Sequence, residues 1–253
     1  MQTPNDFAGK VAIVTGAGQG MGRAVAVRLA EGGAKVLVND KRMDAVKTVV
    51  DLLKAKKAAA IGFPGDVTSK KDVDRMVQTA VEMFGGVHIL INNAGILFPT
   101  KLIDMEEDEW DLVIDVNMKG TYLCTRAVLP HMMKQKWGRI VNFSSTAGKN
   151  VSTLGGPHYT AAKAGVLGLT RATAKEVARF GITCNSVCPG LIDTEMVRAN
   201  VTEERLKRYL DSFPISRIGE PWEVAEMVAF LASDRAAYVT GASLDINGGD
   251  LMI

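Results

Sequence analysis

The length, composition and charge of the chain exclude several classes of protein. Its 253 residues, of which 47% are hydrophobic, are enough for one sizeable core and require no second domain. The 30 basic and 28 acidic residues are interspersed and leave a net charge of +2. Because no basic stripe results, nucleic acid and membrane surfaces are poor partners, and a small molecule is the expected one.

Short β-branched runs alternate with longer segments of helical period along the chain. The strand candidates are KVAIVTG, AKVLVND, AAAIGFPGDV, VHILINNAG, GRIVNFSS, ITCNSVCPG and SLDINGG. Their apolar runs are nearly continuous, as expected for parallel strands that helices cover on both faces. The alternation predicts an α/β fold, a doubly wound seven-stranded parallel sheet of Rossmann type, in one domain over residues 1–253. A long helical segment is predicted around 106–136.

Residues 191–219 form a polar insertion between a strand candidate and the next helix. The insertion is partly helical in period and longer than such connections usually are. A long loop at the carboxyl end of a strand lies over the ligand crevice of an open α/β sheet. The segment is therefore predicted to be a substrate lid.

The chain shows neither a signal-peptide pattern nor a membrane-spanning stretch, so a soluble, cytoplasmic protein is expected. Its three cysteines are Cys124, Cys184 and Cys188. An odd count without a CxxC motif argues against disulfides and zinc, and predicts reduced, buried thiols. The histidines are scattered singly, so no metal site is expected.

A glycine-rich turn, TGAGQGMG, lies between the first strand candidate and the first helical segment. Gly16, Gly18, Gly20 and Gly22 let the backbone turn sharply and approach a pyrophosphate, and the helix N-terminus offers free N–H groups. A tight turn without a ligand is the alternative. Asp40 lies 18 residues beyond Gly22, close to the spacing of a ribose-binding carboxylate, which favours a dinucleotide site.

The carboxylate of Asp40 indicates NAD as the cofactor, because it can accept hydrogen bonds from ribose hydroxyls and repels a 2′-phosphate. Residue 19, in the glycine turn, is Gln19 rather than a base. Lys41 and Arg42 follow Asp40 directly, and a guanidinium there could turn toward a phosphate. NAD is predicted, with NADP left open by Lys41 and Arg42.

Tyr159 and Lys163 stand four residues apart in HYTAAKAG. On a helix they share one face, so the ammonium would lower the pKa of the phenol from its usual value of about 10. An ordinary pair on a solvated helix face is the alternative. Ser144 and Ser145 end a strand candidate at the edge where ligands bind, and a serine there could donate to a substrate oxygen or cap a turn.

Several motifs occur in a specific joint order. They are TGAGQGMG, NNAG at 92–95, VNMKG at 116–120, SS at 144–145, YTAAK at 159–163, PGLIDT at 189–194 and YVTGASLDINGG. Over essentially its whole length the chain resembles the short-chain dehydrogenase/reductase family. Within that family it is similar to 3-oxoacyl-thioester reductases and secondary alcohol dehydrogenases.

The resemblance implies an oxidoreductase that interconverts a secondary alcohol and a ketone by hydride transfer. Asn117, Ser145, Tyr159 and Lys163 would be its catalytic residues, with Ser145 rather than Ser144 as the family match. Tyr159 would be the general acid or base and Ser145 would bind the substrate oxygen. Lys163 would lower the pKa of Tyr159 and bind the nicotinamide ribose, and Asn117 would hold a proton-relaying water.

The resemblance also implies a set of cofactor-binding residues. They are Gly16, Gln19, Gly20, Met21, Gly22, Asp40, Asp66, Val67, Asn93, Ala94, Gly95, Tyr159, Lys163, Pro189, Gly190, Ile192 and Thr194. Asn92 belongs to the same NNAG motif. A structural role is the alternative for Asn93, and a helix N-cap is the alternative for Thr194.

Candidate substrate-pocket residues lie on loops over the crevice and are Phe98, Val151, Leu154, Met196, Val197 and Tyr209. They suit a 3-oxoacyl or 3-hydroxyacyl thioester, or a cyclic or hydrophobic secondary alcohol, although such residues could also simply cover the core. Four basic residues could meet a phosphopantetheine carrier, but a solvated charged face is favoured. They are Lys134, Lys136, Arg139 and Arg179.

Apolar helices near 106–136 and 157–180 have no further layer to pack against in one open sheet, and by family resemblance they are predicted to pair in a homotetramer. A non-catalytic dinucleotide-binding sensor or scaffold is the alternative function. The intact set of catalytic residues argues against it. The sequence assigns no role to His158.

Overall fold

Seven strands in the order β3-β2-β1-β4-β5-β6-β7 form one sheet in a computed structural model, which describes residues 5–253. The strands are β1 (Val11–Val14), β2 (Lys35–Asp40), β3 (Ala60–Pro64), β4 (Ile89–Asn92), β5 (Gly138–Phe143), β6 (Ile182–Pro189) and β7 (Ser243–Ile246). All neighbouring pairs are parallel. The predicted doubly wound, seven-stranded sheet in one domain is confirmed.

Helices cover both faces of the sheet. They are α1 (Gly20–Glu31), α2 (Met43–Ala55), α3 (Lys70–Phe84), α4 (Glu107–Ile114), α5 (Gly120–Gln135), α6 (Pro157–Val177), α7 (Glu195–Asn200), α8 (Glu203–Ser212) and α9 (Pro221–Ala232). Ala12 and Val14 of β1 pack with α1, α2 and α9, whereas Val11 and Ile13 pack with α3, α5 and α6. Because both strand faces are buried, the strands read as continuous apolar runs.

The long helical segment predicted around 106–136 is interrupted by a π-helical turn over Asp115–Lys119. Such turns add a residue to a helix and are frequent at functional sites. This turn contains the fully buried Asn117, whose amide donates to Ile96 O at 2.8 Å and to Val113 O at 2.9 Å. The interruption therefore ties Asn117 to the loop that follows β4.

The strand order reverses at β1, which lies between β2 and β4. Loops that follow β1 and β4 diverge at such a point and leave a crevice at the carboxyl edge of the sheet. The glycine turn follows β1 and the NNAG motif follows β4. Both motifs thus border the same crevice.

The insertion at 191–219 leaves the sheet after β6 and contains α7 and α8. Its two ends are joined by backbone bonds from Gly219 N–H to Leu191 O at 3.0 Å and from Asp193 N–H to Gly219 O at 2.8 Å. The segment therefore leaves one edge of the sheet and returns to the same place. Its role as a lid stays a prediction.

Arg139 is not part of a solvated charged face, because it is only 4% exposed. It is the second residue of β5, where its guanidinium donates to Gly181 O at 3.2 Å and to Asp234 at 3.0 Å, and stacks on Trp137. Burial lowers its pKa and the nearby carboxylate opposes that shift. The other three candidates for a basic carrier surface, Lys134, Lys136 and Arg179, are exposed.

Within residues 5–253, no helix is both long and apolar enough to cross a membrane. The same residues hold no group of three or more His, Cys, Asp or Glu side chains arranged for a metal ion. The three cysteines are buried free thiols, as predicted. Burial raises the pKa of Cys124 to about 12, which makes this thiol unreactive at neutral pH.

Candidate active site

Two cavities meet at the carboxyl edge of the sheet. The large cavity, of about 550 Å³, runs from the glycine turn to Tyr159 and Lys163. The small cavity, of about 80 Å³, lies on the other side of Tyr159 and reaches the 191–219 segment. The residues that line both are Met21, Ser144, Tyr159, Thr194 and Met196. Tyr159 is therefore placed where a ligand of one cavity can meet a ligand of the other.

The glycine turn has no room for side chains. Gly16 adopts a φ of +61°, and a Cβ there would lie 2.7 Å from Ala94 Cα. A Cβ on Gly18 would lie 2.7 Å from a carboxylate oxygen of Asp40. Gly22 does not line the large cavity, since its Cβ would lie 2.4 Å from Gly16 O, and its smallness serves the packing of α1 on the turn.

Asp40 closes the far end of the large cavity. Its carboxylate accepts hydrogen bonds from the N–H groups of Gly18 and Arg42, both at 3.1 Å. The Arg42 guanidinium lies 3.6 Å from Asp40 and donates to Gln19 Oε1 at 2.7 Å. The carboxylate and this guanidinium thus occupy one small polar cluster beside the glycine turn.

The second cation beside the site is also paired. Lys41 lies 2.9 Å from the carboxylate of Asp66, which accepts further bonds from the Thr68 N–H and hydroxyl. Burial raises the pKa of Asp66, but these bonds and the Lys41 charge outweigh it and hold that pKa below its usual value. Asp66 and Val67 both line the large cavity, as the resemblance implies.

The residues of the large cavity fit a dinucleotide. Helix α1 begins at Gly20 with neither a capping side chain nor an acidic residue in its first turn, so the N–H groups of that turn have no capping side chain and can bind an anion in the cavity. Within the described residues, the buried oxygens Asn39 Oδ1 and Asn117 Oδ1 have no hydrogen-bond partner, and both residues line the cavity. Such orphaned acceptors are suited to donors on a bound ligand or water.

The two asparagines of NNAG have different roles. Asn93 donates from its side chain to Thr15 O at 3.0 Å and Gly16 O at 2.9 Å, so it supports the glycine turn besides lining the large cavity. Asn92 is buried and donates to Thr125 and Asn142. Asn92 therefore braces the sheet, whereas Asn93, Ala94 and the following glycine border the cavity.

Tyr159 lies in the first turn of α6 with its ring against Gly155, where a Cβ would approach the ring atoms to 2.9 Å. Ser145 lies beside the phenol. Its hydroxyl accepts from Ala147 N–H at 3.2 Å and lies 3.5 Å from Pro189 O. Burial raises the pKa of Tyr159 to about 12, and the neighbouring Ser145 opposes that shift. The phenol is therefore protonated at neutral pH.

Lys163 lies deeper in the same helix, with its Nζ 5.5 Å from the centre of the Tyr159 ring. The ammonium donates to Phe143 O at 2.9 Å, and burial lowers its pKa to about 8. The role of Lys163 in lowering the pKa of Tyr159 stays a prediction, and it acts against the desolvation of the phenol.

The side chains of Asn117 and Lys163 both lie close to Gly95, in the loop after β4. A Cβ on Gly95 would lie 2.7 Å from Asn117 Oδ1 and 3.3 Å from Lys163 Nζ. Gly95 is thus required for the two side chains to come together. Asn117, Ser145, Tyr159 and Lys163 form one group, although they come from the π turn, the end of β5 and α6.

The two serines after β5 are distinguished by their contacts. Ser144 is buried, and its hydroxyl donates to the backbone carbonyl of Lys163 at 2.8 Å, which holds α6 against the sheet. Both serines line the small cavity, but only the Ser145 side chain lies beside the phenol of Tyr159. The choice of Ser145 as the substrate-binding serine remains a prediction that this geometry favours.

His158 anchors the backbone of Tyr159. Its fully buried ring accepts the backbone N–H of Tyr159 at Nδ1, at 2.8 Å, and its Nε2 lies 3.0 Å from Glu109 Oε1. Because Nδ1 is an acceptor here, the ring proton is assigned to Nε2, which donates to Glu109. The ring replaces the missing cap of α6, whose N-cap residue is glycine, and joins α6 to α4.

Most of the predicted pocket residues border a cavity. Leu154, Met196, Val197 and Tyr209 line the small cavity and Phe98 lines the large one. The prediction for Val151 is wrong: this side chain is 72% exposed and lines neither cavity. Its position in the sequence predicted that it lies above the crevice, but its loop directs the side chain toward solvent.

The PGLIDT motif borders the small cavity. Pro189, Gly190, Ile192 and Thr194 all line it, and only Thr194 also lines the large cavity. The hydroxyl of Thr194 accepts Val197 N–H at 3.3 Å, so its alternative role as an N-cap, here of α7, is confirmed. The motif therefore lies at the junction of the two cavities.

Two acidic residues of the site were missed in the sequence. Glu195, next to Thr194, lies 3.5 Å from Arg23 of α1 and borders the large cavity. Asp250 lines the small cavity. Neither belongs to a motif with a known spacing, although Asp250 follows the glycine pair that ends the last motif.

Comparisons with known proteins agree with this geometry. A family model described as enoyl-(acyl carrier protein) reductase matches residues 16–250. A 3-oxoacyl-(acyl-carrier-protein) reductase from Staphylococcus epidermidis is 42% identical over 244 residues, covering 96% of this chain and 99% of the relative. One from Synechocystis is 42% identical over 245 residues, covering 96% and 97%.

Solved structures give the same result. A 3-oxoacyl-(acyl-carrier protein) reductase from Brucella melitensis is similar with a TM-score of 0.93 and 32% identity, covering 100% of this chain and 95% of the other. A protein provisionally named gluconate dehydrogenase, from Agrobacterium tumefaciens, is similar with a TM-score of 0.94 and 33% identity, covering 100% of both chains.

The sheet topology, the glycine turn at its switch point and the group around Tyr159 define the class of dinucleotide-binding oxidoreductases. The chain belongs to the short-chain dehydrogenase/reductase family, whose members use a nicotinamide dinucleotide.

Proposed function

We propose that the protein reduces the ketone of a 3-oxoacyl thioester to a secondary alcohol, with NADH as the hydride donor. The observation that carries the proposal is the junction of the two cavities at Tyr159, with Ser145 and Lys163 beside it. The thioester is favoured by relatives at 42% identity that are named 3-oxoacyl-(acyl-carrier-protein) reductases.

The large cavity would hold the cofactor. The glycine turn and the α1 N-terminus would bind the pyrophosphate, and Lys163 would bind the ribose next to the nicotinamide. The bound nicotinamide supplies or accepts a hydride. The protein side chains that line the large cavity would orient the nicotinamide and exclude water.

Tyr159 and Ser145 would act on the ketone in the small cavity. Ser145 Oγ–H would donate a hydrogen bond to the carbonyl oxygen, and Tyr159 would transfer its phenolic proton to that oxygen as a hydride reaches the carbon. Lys163 and Asn117 would then return a proton to the phenolate from solvent. A phenol that burial keeps protonated favours the direction of carbonyl reduction.

The test of this mechanism is the Tyr159→Phe variant with acetoacetyl thioester as substrate. Loss of the proton donor is expected to lower kcat by at least about 1000-fold. The Kd for NADH, measured by fluorescence titration, should change less than about threefold because the ring itself is kept. Full turnover by the variant would overturn the mechanism, and wild-type turnover would dispose of the alternative of a non-catalytic scaffold.

NAD is proposed over NADP because of the contacts at the far end of the large cavity. The Asp40 carboxylate would repel a 2′-phosphate, and the two neighbouring cations are already paired, Arg42 with Asp40 and Gln19, and Lys41 with Asp66. Lys41 and Arg42 are exposed, however, and remain the route to NADP. Comparing kcat/KM for NADH and NADPH, in wild type and Asp40→Ala, tests this: only the variant should accept NADPH well.

A homotetramer is proposed from two exposed apolar regions. One lies on and beside α4 and α5 and includes Leu102, Ile103, Trp110 and Tyr122, and the other includes Trp222, Tyr238, Met252 and Ile253. The exposed small residues Ala161 and Ala164 of α6 would allow close approach of a second copy. Light scattering coupled to gel filtration should give about four times the mass of one chain. A cytoplasmic location stays a prediction.

A further inference from the structure

Asp250 is the only charged residue among the described residues that line the small cavity. The others are apolar, glycine or hydroxyl-bearing, and they include Ser145 and Tyr159. A single carboxylate in a cavity of about 80 Å³ acts on any ligand that reaches the hydroxyl of Tyr159. The remote part of a substrate therefore meets a negative charge.

The position of Asp250 is set by a tight turn after β7. Gly248 and Gly249 adopt φ values of +66° and +85°, which favour glycine. Asn247 accepts the N–H groups of Gly249, at 2.9 Å, and of Asp250, at 3.2 Å, and its amide donates to Leu251 O at 2.8 Å. The carboxylate is thus carried by constrained backbone rather than by a loose terminus.

The turn is also joined to the 191–219 segment, because Ile215 N–H donates to Gly248 O at 2.9 Å. The two segments that border the small cavity, residues 191–219 and the turn at Asp250, are therefore linked. A shift of one segment would displace the other.

No cation neutralises Asp250 within residues 5–253, where its side chain makes no ion pair or hydrogen bond. Although the residue is exposed as a whole, partial burial raises the pKa of its carboxyl. Arg205 of α8 instead donates from its guanidinium to Tyr209 Oη, at 2.8 Å, and to Thr153 O. The charge of Asp250 is left for the ligand.

We infer that Asp250 is a specificity-determining residue that rejects ketones with a carboxylate remote from the reacting carbonyl and accepts those that end in a methyl or a hydroxyl group. The inference rests on the proposed function and names its substrate class more closely. A substrate hydroxyl can donate a hydrogen bond to the Asp250 carboxylate. A substrate carboxylate carries the same charge as Asp250 and has no proton to donate, so it is repelled. Sugar acids, such as gluconate, are disfavoured by the same charge.

The test compares three thioesters of N-acetylcysteamine that differ only at the chain end: 3-oxohexanoyl, 6-hydroxy-3-oxohexanoyl and 3-oxohexanedioyl. In wild type, kcat/KM for the carboxylated compound should be about fivefold or more below that for the methyl-terminated one, a modest factor because the site is open to water. Asp250→Asn should remove most of this difference between the carboxylated and the methyl-terminated compound.

The matched control is Asp211→Asn, which removes an exposed carboxylate of α8 that lines neither cavity. This variant should keep the wild-type ratio between the carboxylated and methyl-terminated compounds. If Asp250→Asn leaves the ratio unchanged while the methyl-terminated compound is reduced, the inference is wrong and the proposed function stands. If wild type reduces none of the three, the proposed function fails and the inference with it.

Discussion

The large and small cavities share Tyr159 but are built differently. The large cavity is bordered by the ends of β1, β2, β4 and β5, where backbone turns without side chains leave room for a ligand. The small cavity is bordered by the 191–219 segment and the turn at Asp250, which meet each other through one backbone bond at Gly248. The large cavity, proposed for the cofactor, therefore depends on backbone geometry, whereas the small cavity, proposed for the substrate, depends on side chains held by loops.

The largest expected effect is on the backbone of the large cavity. Gly16→Val would force a branched residue into a φ of +61° and place its Cβ 2.7 Å from Ala94 Cα. We expect a loss of about 2–4 kcal/mol in the free energy of unfolding and a rise of at least about 100-fold in the Kd for NADH. Urea unfolding and fluorescence titration measure both.

The matched control is Gly168→Ala in α6, where a Cβ meets nothing within 4 Å. Because glycine is a poor helix former, this change should stabilise the fold by up to about 1 kcal/mol. If Gly16→Val bound NADH normally, the backbone account of the large cavity would be wrong.

The next largest effect concerns Tyr159, which lines both cavities, and the neighbouring Lys163. Lys163 has a pKa of about 8, so above this pH its ammonium is lost, while Tyr159, with a pKa of about 12, stays protonated. Reduction that requires the ammonium should therefore lose kcat/KM about tenfold per pH unit above pH 8, and be flat below it. In Lys163→Arg, which stays charged, any remaining activity should lack this decline; the same profile in both would contradict the assignment.

A smaller effect is expected from replacing His158, which binds the backbone of Tyr159. His158→Leu removes Nδ1 as an acceptor of the Tyr159 N–H, which keeps only its bond to Gly156 O at 3.1 Å, and leaves the carboxylate of Glu109 without its partner, at a cost of about 1–3 kcal/mol in the free energy of unfolding. We expect kcat to fall more than KM rises, because the phenol is displaced while the cavities keep their lining.

His158→Asn distinguishes anchoring from simple packing. The asparagine carbonyl can accept the Tyr159 N–H in place of Nδ1, so this variant should recover most of the lost kcat even though the link to Glu109 is gone. Equal kcat values for the two variants would show that the bond to the Tyr159 backbone has no role in positioning.

The smallest effect is expected on the substrate side. Thr194→Ala removes the hydroxyl that caps α7, which costs about 1 kcal/mol locally and should raise the KM of the ketone about fivefold. The thermal midpoint should hardly change, because α7 has no buried residues. Thr194→Ser should restore KM; a KM that stays unchanged in the alanine variant would show that the cap does not order the small cavity.

Residues whose roles follow from local geometry could be predicted from the sequence. The glycine turn and Asp40 are positioned by β1 and β2, whose apolar runs are visible in the sequence, and the four-residue spacing of Tyr159 and Lys163 places them on one helix face. Ser145 follows β5 in the same way. Their assembly at one edge follows from the parallel topology.

Other features depend on contacts that no local pattern encodes. His158 meets Glu109 across 49 residues, and the buried Arg139 pairs with Asp234, 95 residues away. The shifted pKa values of Tyr159 and Lys163 depend on how closely α6 packs on the sheet.

The sequence by itself determined the sheet, the dinucleotide turn and the set of side chains available for chemistry, because strand periodicity and glycine geometry act over a few residues. Only the tertiary structure decided what His158 contacts, that Arg139 is buried and that Asp250 lines the small cavity. These outcomes rest on burial and on contacts between distant segments, whose energies exist only once the chain is folded.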